Sequence, residues 1–324
     1  MSIKTVSQAM RDVLRQEMAR DANVFCIGEE VGTAGLYGIT TDLHKEFGSD
    51  RVIATPISET GIVGMSVGAA MAGMRPYAEL MYIDFIGVCM DQIINQAAKL
   101  RFMTGGQVSI PLVLLLPAGS GRRNAGQHSQ CLESMLAHVP GLKIVAPVTP
   151  GDAAGLLRAS LRDDDPVMFL GHKFLYAAEG EVPDDEEYTV PIGKARVCRQ
   201  GSDVTIIAWS RQVVYALEAA ESLLQNKVSA EVIDLRSLVP LDWETIKASV
   251  QKTGRVVIAQ EAVKRGGYAA EIAAQISDEL YEDLKAPVKR VASLNIVPPF
   301  SPVLEDAFFP HPADIVAAAN SIMV

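Results

Sequence analysis

Short runs of β-branched and aliphatic residues alternate with helix-length segments along nearly the whole chain. VFCIGE, RVIATPI, RPYAEL, IPLVLLLP, LKIVAP and PVMFLG each read as buried strands, with stretches long enough for a helix between most of them. A parallel return needs a crossover of helix length, so this alternation demands a parallel, doubly wound sheet. The pattern breaks at residues 178–190, AEGEVPDDEEYTV, which are acidic, contain proline and follow neither period. A second alternation then begins: DVTIIAW, a helix over 212–224, AEVIDL, a helix over 243–252, RVVIAQE and a helix over 268–284. Pro298, Pro299, Pro302, Pro310 and Pro312 make the next stretch irregular, and a last helix is expected over 313–323. The expectation is an α/β chain of two domains, each a mostly parallel sheet flanked by helices. Residues 1–177 form the first, 178–199 the link and domain start, and 200–324 the second.

With 324 residues, 49% of them hydrophobic, the chain can build two ordinary cores, which excludes a disordered or fibrous protein. A net charge of −10 opposes a phosphate backbone as partner, so no nucleic acid is expected. The same acidity suits a basic protein partner, or simply solubility. Cys26, Cys89, Cys131 and Cys198 lie far apart without a CxxC spacing, so neither a zinc site nor a disulfide framework is signalled. A reducing, cytoplasmic compartment fits. The amino terminus mixes acids and bases and reads as an amphipathic helix, not as a targeting segment. Residues 61–74 and 110–117, the most apolar stretches, fall short of the roughly 18 residues a membrane-spanning helix needs, so no membrane is expected.

The most informative segment is TPISETGIVGMSVGAAMAGMRP, a strand ending at Ile57 that runs into a helix with Ser58 as expected N-cap and Glu59 in the first turn. Glu59 then stands at the carboxyl end of a strand, the edge at which open α/β sheets bind ligands. The competing reading is a first-turn glutamate that complements the helix dipole, worth a few tenths of a kcal/mol. Gly61, Gly64, Gly68, Ala69, Ala72 and Gly73 recur at three- and four-residue spacing and leave one helix face almost bare. Interior glycine costs a helix up to about 1 kcal/mol relative to alanine. Several in one segment therefore imply close approach of another backbone, either inside the domain or at a subunit contact. Phe85 falls near a strand end, and His128 falls in a glycine-rich loop before a helix, where it is either a proton donor or a cap for that helix. GSGRRNAG lacks the GxGxxG spacing, and GxxxxGK, HExxH and GxSxG do not occur, so none of those chemistries is signalled.

PISETGIVGMSVGAAMAG, DFIGVCMDQIINQAAKLR, GQHSQCLESMLAHVPGLKIVAPVTPGDAAGLL and SAEVIDLRSLVPLDWETIKASVQKTGRVVIAQEA together resemble the beta subunit of the thiamine-diphosphate-dependent component of pyruvate, branched-chain 2-oxo acid and acetoin dehydrogenase complexes. The resemblance runs over essentially the whole chain. It implies a pyrimidine-binding domain followed by a transketolase C-terminal-like domain. It also implies that the aminopyrimidine of thiamine diphosphate stacks on Phe85, that Ile57 and Met81 line its pocket, and that Glu59 hydrogen-bonds a ring nitrogen. That bond pushes the exocyclic amine toward its imino form, which can take the proton from the thiazolium carbon; the cofactor is the electron sink, and the protein supplies orientation and electrostatics. Glu29 matches an acid in the proton-relay path between paired sites. His128 matches a residue facing the reacting carbon, assisting proton transfer or the lipoyl acceptor. Leu112, Ser160, Leu161, Asp163 and Asp165 match a potassium site built largely of backbone carbonyls, as suits a hard cation.

Thiamine enzymes grip the diphosphate through a metal held by a GDG motif and a later asparagine. Here the Gly-Asp pair is Gly151-Asp152, followed by alanine. The resemblance therefore implies that an alpha subunit supplies the diphosphate and Mg2+ grip in an α2β2 heterotetramer, and that a lipoyl-bearing dihydrolipoyl acyltransferase core accepts the product. The stretches ELMYIDFIGVCMDQIINQAAKLRFM and HKFLYAAEGEVP look more like the acetoin branch than the pyruvate branch. Two rivals stay open: the carboxyl-terminal half of a split transketolase, and a non-catalytic scaffold of the same fold.

Overall fold

The computed structural model describes residues 1–323, which divide into two compact units, Met1–Ala118 with Met135–Ile192, and Gly119–Ser134 with the described residues from Gly193 onward. The first unit is built on parallel strands in the spatial order Lys143–Val145, Val167–His172, Val113–Ala118, Arg75–Glu79, Val24–Gly28 and Val52–Ala54. Every residue of Val24–Gly28, Val113–Ala118 and Val167–His172 is buried, as strands covered on both faces require.

Helices Val6–Arg20 and Pro150–Arg162 cover one face. The first begins in a capping box, with Gln8 N donating to Thr5 Oγ1 at 3.2 Å and Thr5 N to Gln8 Oε1 at 2.8 Å. The second begins at Thr149, which caps Asp152 N, with Pro150 at the first helical position, where a missing N–H removes no bond. Between them the buried Glu17 takes two bonds from Arg162, at 2.6 and 3.0 Å, and lies 3.4 Å from Arg158.

The stretch expected as an aperiodic link contains a strand, Glu179–Val182, paired antiparallel with Ser2–Thr5. Arg158 Nη1 then donates to Tyr188 O at 2.5 Å, so the chain stays with the first unit as far as Ile192. Periodicity misses this pair because it is a two-stranded ribbon of four-residue strands with no apolar face of its own. The second unit orders its strands Lys289–Ser293, Val256–Val263, Val204–Ala208, Ala230–Asp234 and Arg196–Arg199, all parallel except the last. Its helices are Arg211–Gln225, Trp243–Thr253, Ala269–Glu279 and Pro312–Asn320, with a short Pro302–Asp306 between the prolines. Among the described residues no helix is long and apolar enough to cross a membrane.

Candidate active site

Three adjacent parallel strands deliver most of the candidates in the first unit. Glu29 follows Val24–Gly28, Glu59 follows Val52–Ala54, and Met81 and Phe85 follow Arg75–Glu79. Strand order reverses between Val24–Gly28 and Arg75–Glu79, so these residues stand outside the carboxyl ends at a topological switch point, the ligand crevice of open α/β sheets.

Glu59 is the first residue of the helix Glu59–Met71 and is 9% exposed. Ser58 occupies the N-cap position, but its side chain caps no N–H; the hydroxyl lies 2.7 Å from where a Cβ on Gly61 would stand, and Gly61 leaves it that room. The Ser58 carbonyl accepts Ile62 N–H at 2.8 Å instead. Glu29 Oε1 is buried without a partner, and burial, then the charges of Glu59 and Glu30, push the Glu29 carboxyl up. The Cys89 thiol is pushed up to about 12 by burial and then by Glu59. Glu59 thus acts on both groups, one on each side of the switch point.

Phe85 lies half-buried on the 3-10 helix Ile83–Cys89, with the Tyr82 ring edge-on at 5.8 Å. Thr60 Oγ1 donates to Val88 O at 2.8 Å and so ties the start of the Glu59 helix to the segment that carries Phe85. Ile57 is 79% exposed, an unusual place for a large aliphatic side chain two residues from a buried acid, and Met81 is half-buried. Sequence reasoning missed Lys173, which is fully buried with its ammonium 4.9 Å from the Tyr82 ring centre. Its one available signal was its place directly after the strand Val167–His172.

His128 belongs to the second unit, in the loop Gly119–Ser134. The loop contains two non-glycine residues in the left-handed region, Arg123 at φ 62° and Ala125 at φ 61°, a conformation that must be held by surrounding contacts. Glu305, fully buried, accepts Gly121 N at 2.7 Å, Arg123 N at 3.2 Å and Arg123 Nη1 at 2.6 Å. Glu261 accepts Ser120 N at 2.5 Å and pairs with the buried Arg211 at 3.1 Å. Ser129, Cys131 and Leu132 of the loop help wall a cavity of about 500 Å³ with Val263, Ile296 and Phe308. The loop is hollow on that side and keeps its shape through these carboxylates.

The bare helix face is open. Gly61, Gly68 and Ala72 are exposed, and a Cβ on Gly68 would meet nothing within 4 Å, so close packing within the domain does not account for that glycine, although Gly61 makes room for Ser58. At the candidate potassium site, Val167 N donates to Leu112 O at 2.8 Å and Asp163 N to Ser160 O at 3.2 Å. Arg75 donates to Leu161 O at 2.9 Å and Asp163 O at 2.8 Å, while Lys143 pairs with the carboxylates of Asp163 and Asp165. The carbonyls of Leu161 and Asp163 thus already face the Arg75 guanidinium, and both carboxylates are paired with cationic side chains.

Residues 3–178 match the transketolase pyrimidine binding domain, and residues 193–315 match the transketolase C-terminal domain. The acetoin:2,6-dichlorophenolindophenol oxidoreductase subunit beta of Cupriavidus necator is 46% identical, over 98% of this chain and 97% of that one. The chain belongs to the family of beta subunits of thiamine-dependent acetoin and 2-oxo acid dehydrogenases. Two other members of this beta-subunit family come from Bacillus subtilis. The 2-oxoisovalerate dehydrogenase subunit beta is 44% identical over 99% of both chains, and the pyruvate dehydrogenase E1 component subunit beta is 42% identical over 100% of this chain and 99% of that one. A solved split gene transketolase, an inactive beta4 tetramer, shares the fold with a TM-score of 0.80 at 22% identity, over 98% of this chain and 97% of that one.

Proposed function

We propose that this beta subunit holds and activates the aminopyrimidine half of thiamine diphosphate with Glu59, within an enzyme that oxidises acetoin and passes the acyl unit to a lipoyl group. The observation that carries the reading is Glu59, buried at the topological switch point beyond one strand end, with Glu29, whose Oε1 is buried without a partner, beyond the neighbouring one. The residues present fit that half of the cofactor: an acid for a ring nitrogen, the Phe85 ring to stack on, and the apolar Ile57 and Met81 beside them. Bound, thiamine diphosphate supplies the nucleophilic carbon and the electron sink. Glu59 shares a proton with the pyrimidine ring nitrogen, and partial desolvation strengthens that hydrogen bond. Glu29 relays the proton away. His128 moves a proton at the reacting carbon, a role supported by the anchored, strained loop that carries it.

The diphosphate and Mg2+ grip is assigned to an alpha subunit in an α2β2 heterotetramer. In this chain Asp152 of the Gly151-Asp152 pair is buried in a helix start, its carboxylate accepting Thr149 Oγ1 at 2.7 Å, and so is committed to capping. The open glycine face of the Glu59 helix supplies a surface for a second backbone. A potassium ion on the Leu112, Ser160, Leu161, Asp163 and Asp165 turn, a lipoyl-bearing acyltransferase partner and a cytoplasmic location, suited to four free cysteines, complete the proposal. Acetoin is preferred over pyruvate on the wording of ELMYIDFIGVCMDQIINQAAKLRFM and HKFLYAAEGEVP; identity alone does not choose, since acetoin relatives stand at 45–46% and pyruvate relatives reach 45%. The test mixes the chain with a partner carrying the GDG motif and follows acetoin- and pyruvate-dependent dye reduction. Faster turnover of acetoin is expected; turnover of neither would remove the reading.

A further inference from the structure

We propose that Glu79 is a positioning residue whose buried carboxyl clamps the 29–41 segment, which carries Glu29, onto the end of an interior strand. The catalytic meaning of the clamp rests on the proposed relay role of Glu29; the clamp itself does not. Glu79 is the last residue of Arg75–Glu79, is 3% exposed, and lies against Gly28 so closely that a Cβ there would stand 2.8 Å from its carbonyl oxygen. Its Oε1 accepts the Leu36 N–H at 3.1 Å. Its Oε2 is buried without a partner, as are Thr40 Oγ1 and the hydroxyls of Tyr77 and Tyr176. A Cβ on Gly35 would stand 3.0 Å from both Glu79 Oε2 and Thr40 Oγ1, and Gly35 sits at φ +65°, so glycine is what lets the segment lie this close.

The local hydrogen bonds carry the clamp back to Glu29. Thr33, Ala34 and Gly35 all turn their N–H groups onto Glu30 O, at 3.1, 3.3 and 2.9 Å, and Thr40 N donates to Ala34 O at 3.1 Å. Leu36 is therefore covalently next to a closed turn whose first residue, Glu30, is bonded to Glu29. Val31 within it is fully buried. Fixing Leu36 N fixes the turn, and the turn fixes the backbone from which Glu29 projects.

Burial raises the Glu79 carboxyl to about 7, with the Leu36 N–H pulling it down and the Glu30 charge pushing it up. The other titratable groups around it are Cys26 on the neighbouring strand, Tyr77 on its own, Tyr176 beyond Val167–His172, and Tyr37, stacked on Tyr176 at 4.3 Å. Cys26, Tyr77 and Tyr176 are themselves pushed up by burial first and by Glu79 next, and the cation acting nearby, Arg51, acts on Cys26. Among the described residues no cation pairs with Glu79, so its ionised form is uncompensated, and lifting the segment to admit water relieves it. The closed state keeps a proton that the open state releases between the ordinary 4.5 and about 7, so opening is favoured as pH rises through that window.

Amide hydrogen exchange on the full chain, corrected for intrinsic rates, tests this from pH 5 to 8.5. The opening constant read at Gly35 and Leu36 is expected to rise roughly tenfold per pH unit up to about pH 7 and to level off above it. Glu79→Gln, whose amide oxygen still accepts the Leu36 N–H, is expected to keep protection and lose the slope, while Glu79→Ala loses protection throughout. A wild type without the slope, or a Glu79→Gln variant with the wild-type slope, overturns the clamp. No cofactor or partner enters this measurement, so it stands apart from the proposed function. Unchanged turnover in Glu29→Gln would count against that function alone.

Discussion

Glu59 and His128 are both side chains proposed to move a proton, and their supports differ in kind. Glu59 is held by regular structure: it opens a 13-residue helix that follows the strand Val52–Ala54 through residues 55–58, and Thr60 ties that helix start to the neighbouring Phe85 segment. His128 is held by long-range chemistry: its loop includes two strained residues, borders a cavity, and is fixed by carboxylates 141 and 184 positions downstream of the N–H groups they accept. A site on a helix start tolerates loss of neighbours because the backbone ladder places it. A site on a pinned loop loses its shape with its pins.

Removing the group at the regular site should have the largest effect and leave the fold alone. Glu59→Gln is expected to lower cofactor-dependent turnover in the complete enzyme at least about a hundredfold, the scale of losing one positioned proton-transfer group. Thermal unfolding should change little, because the Ser58 carbonyl still receives Ile62 N–H and the helix start is kept. Full activity in this variant would return Glu59 to the role of a helix-dipole partner.

The pinned loop should respond in the opposite way, through stability first. Glu305→Ala strips partners from Gly121 N, Arg123 N and the Arg123 guanidinium at once. Arg123 is 35% exposed and can rehydrate, whereas the two backbone groups are part-buried. A loss of about 2–4 kcal/mol is expected in denaturant unfolding of the second unit. Turnover should fall in the same variant through the loosened loop that carries His128. Unchanged stability would mean that the loop is held by something other than Glu305.

This difference also sets what could be read from the sequence. Most strands and helices followed from apolar period, because each buries a continuous face, but the strand expected to end at Ile57 stops at Ala54, and the exposed Ile57 lies in the connection to the Glu59 helix. Ser58 as a working cap did not survive, since capping depends on one side-chain rotamer that no pattern records. The ribbon Ser2–Thr5 with Glu179–Val182 was invisible because it joins the two ends of the first unit with four-residue strands. The grouping of Gly119–Ser134 with the second unit was invisible too. The acids that hold it, Glu261 and Glu305, look in sequence like any other glutamate, and so does Glu79 in RPYAEL.

The open face of the Glu59 helix sharpens the comparison with the smallest effect, and there the sign matters more than the size. Gly68 lies in the helix interior at an ordinary helical φ, and a Cβ there meets nothing within 4 Å. In the isolated chain Gly68→Ala should therefore stabilise by about 0.5–1 kcal/mol, through the lost freedom of the unfolded backbone. If the bare face is kept for a second backbone, the same methyl group must weaken assembly. Sedimentation of the variant with its partner should then show looser association, while the melting temperature of the variant alone rises. Stabilisation in both states would leave the glycines unexplained by assembly, because a helix has no local reason to keep an interior glycine where alanine fits.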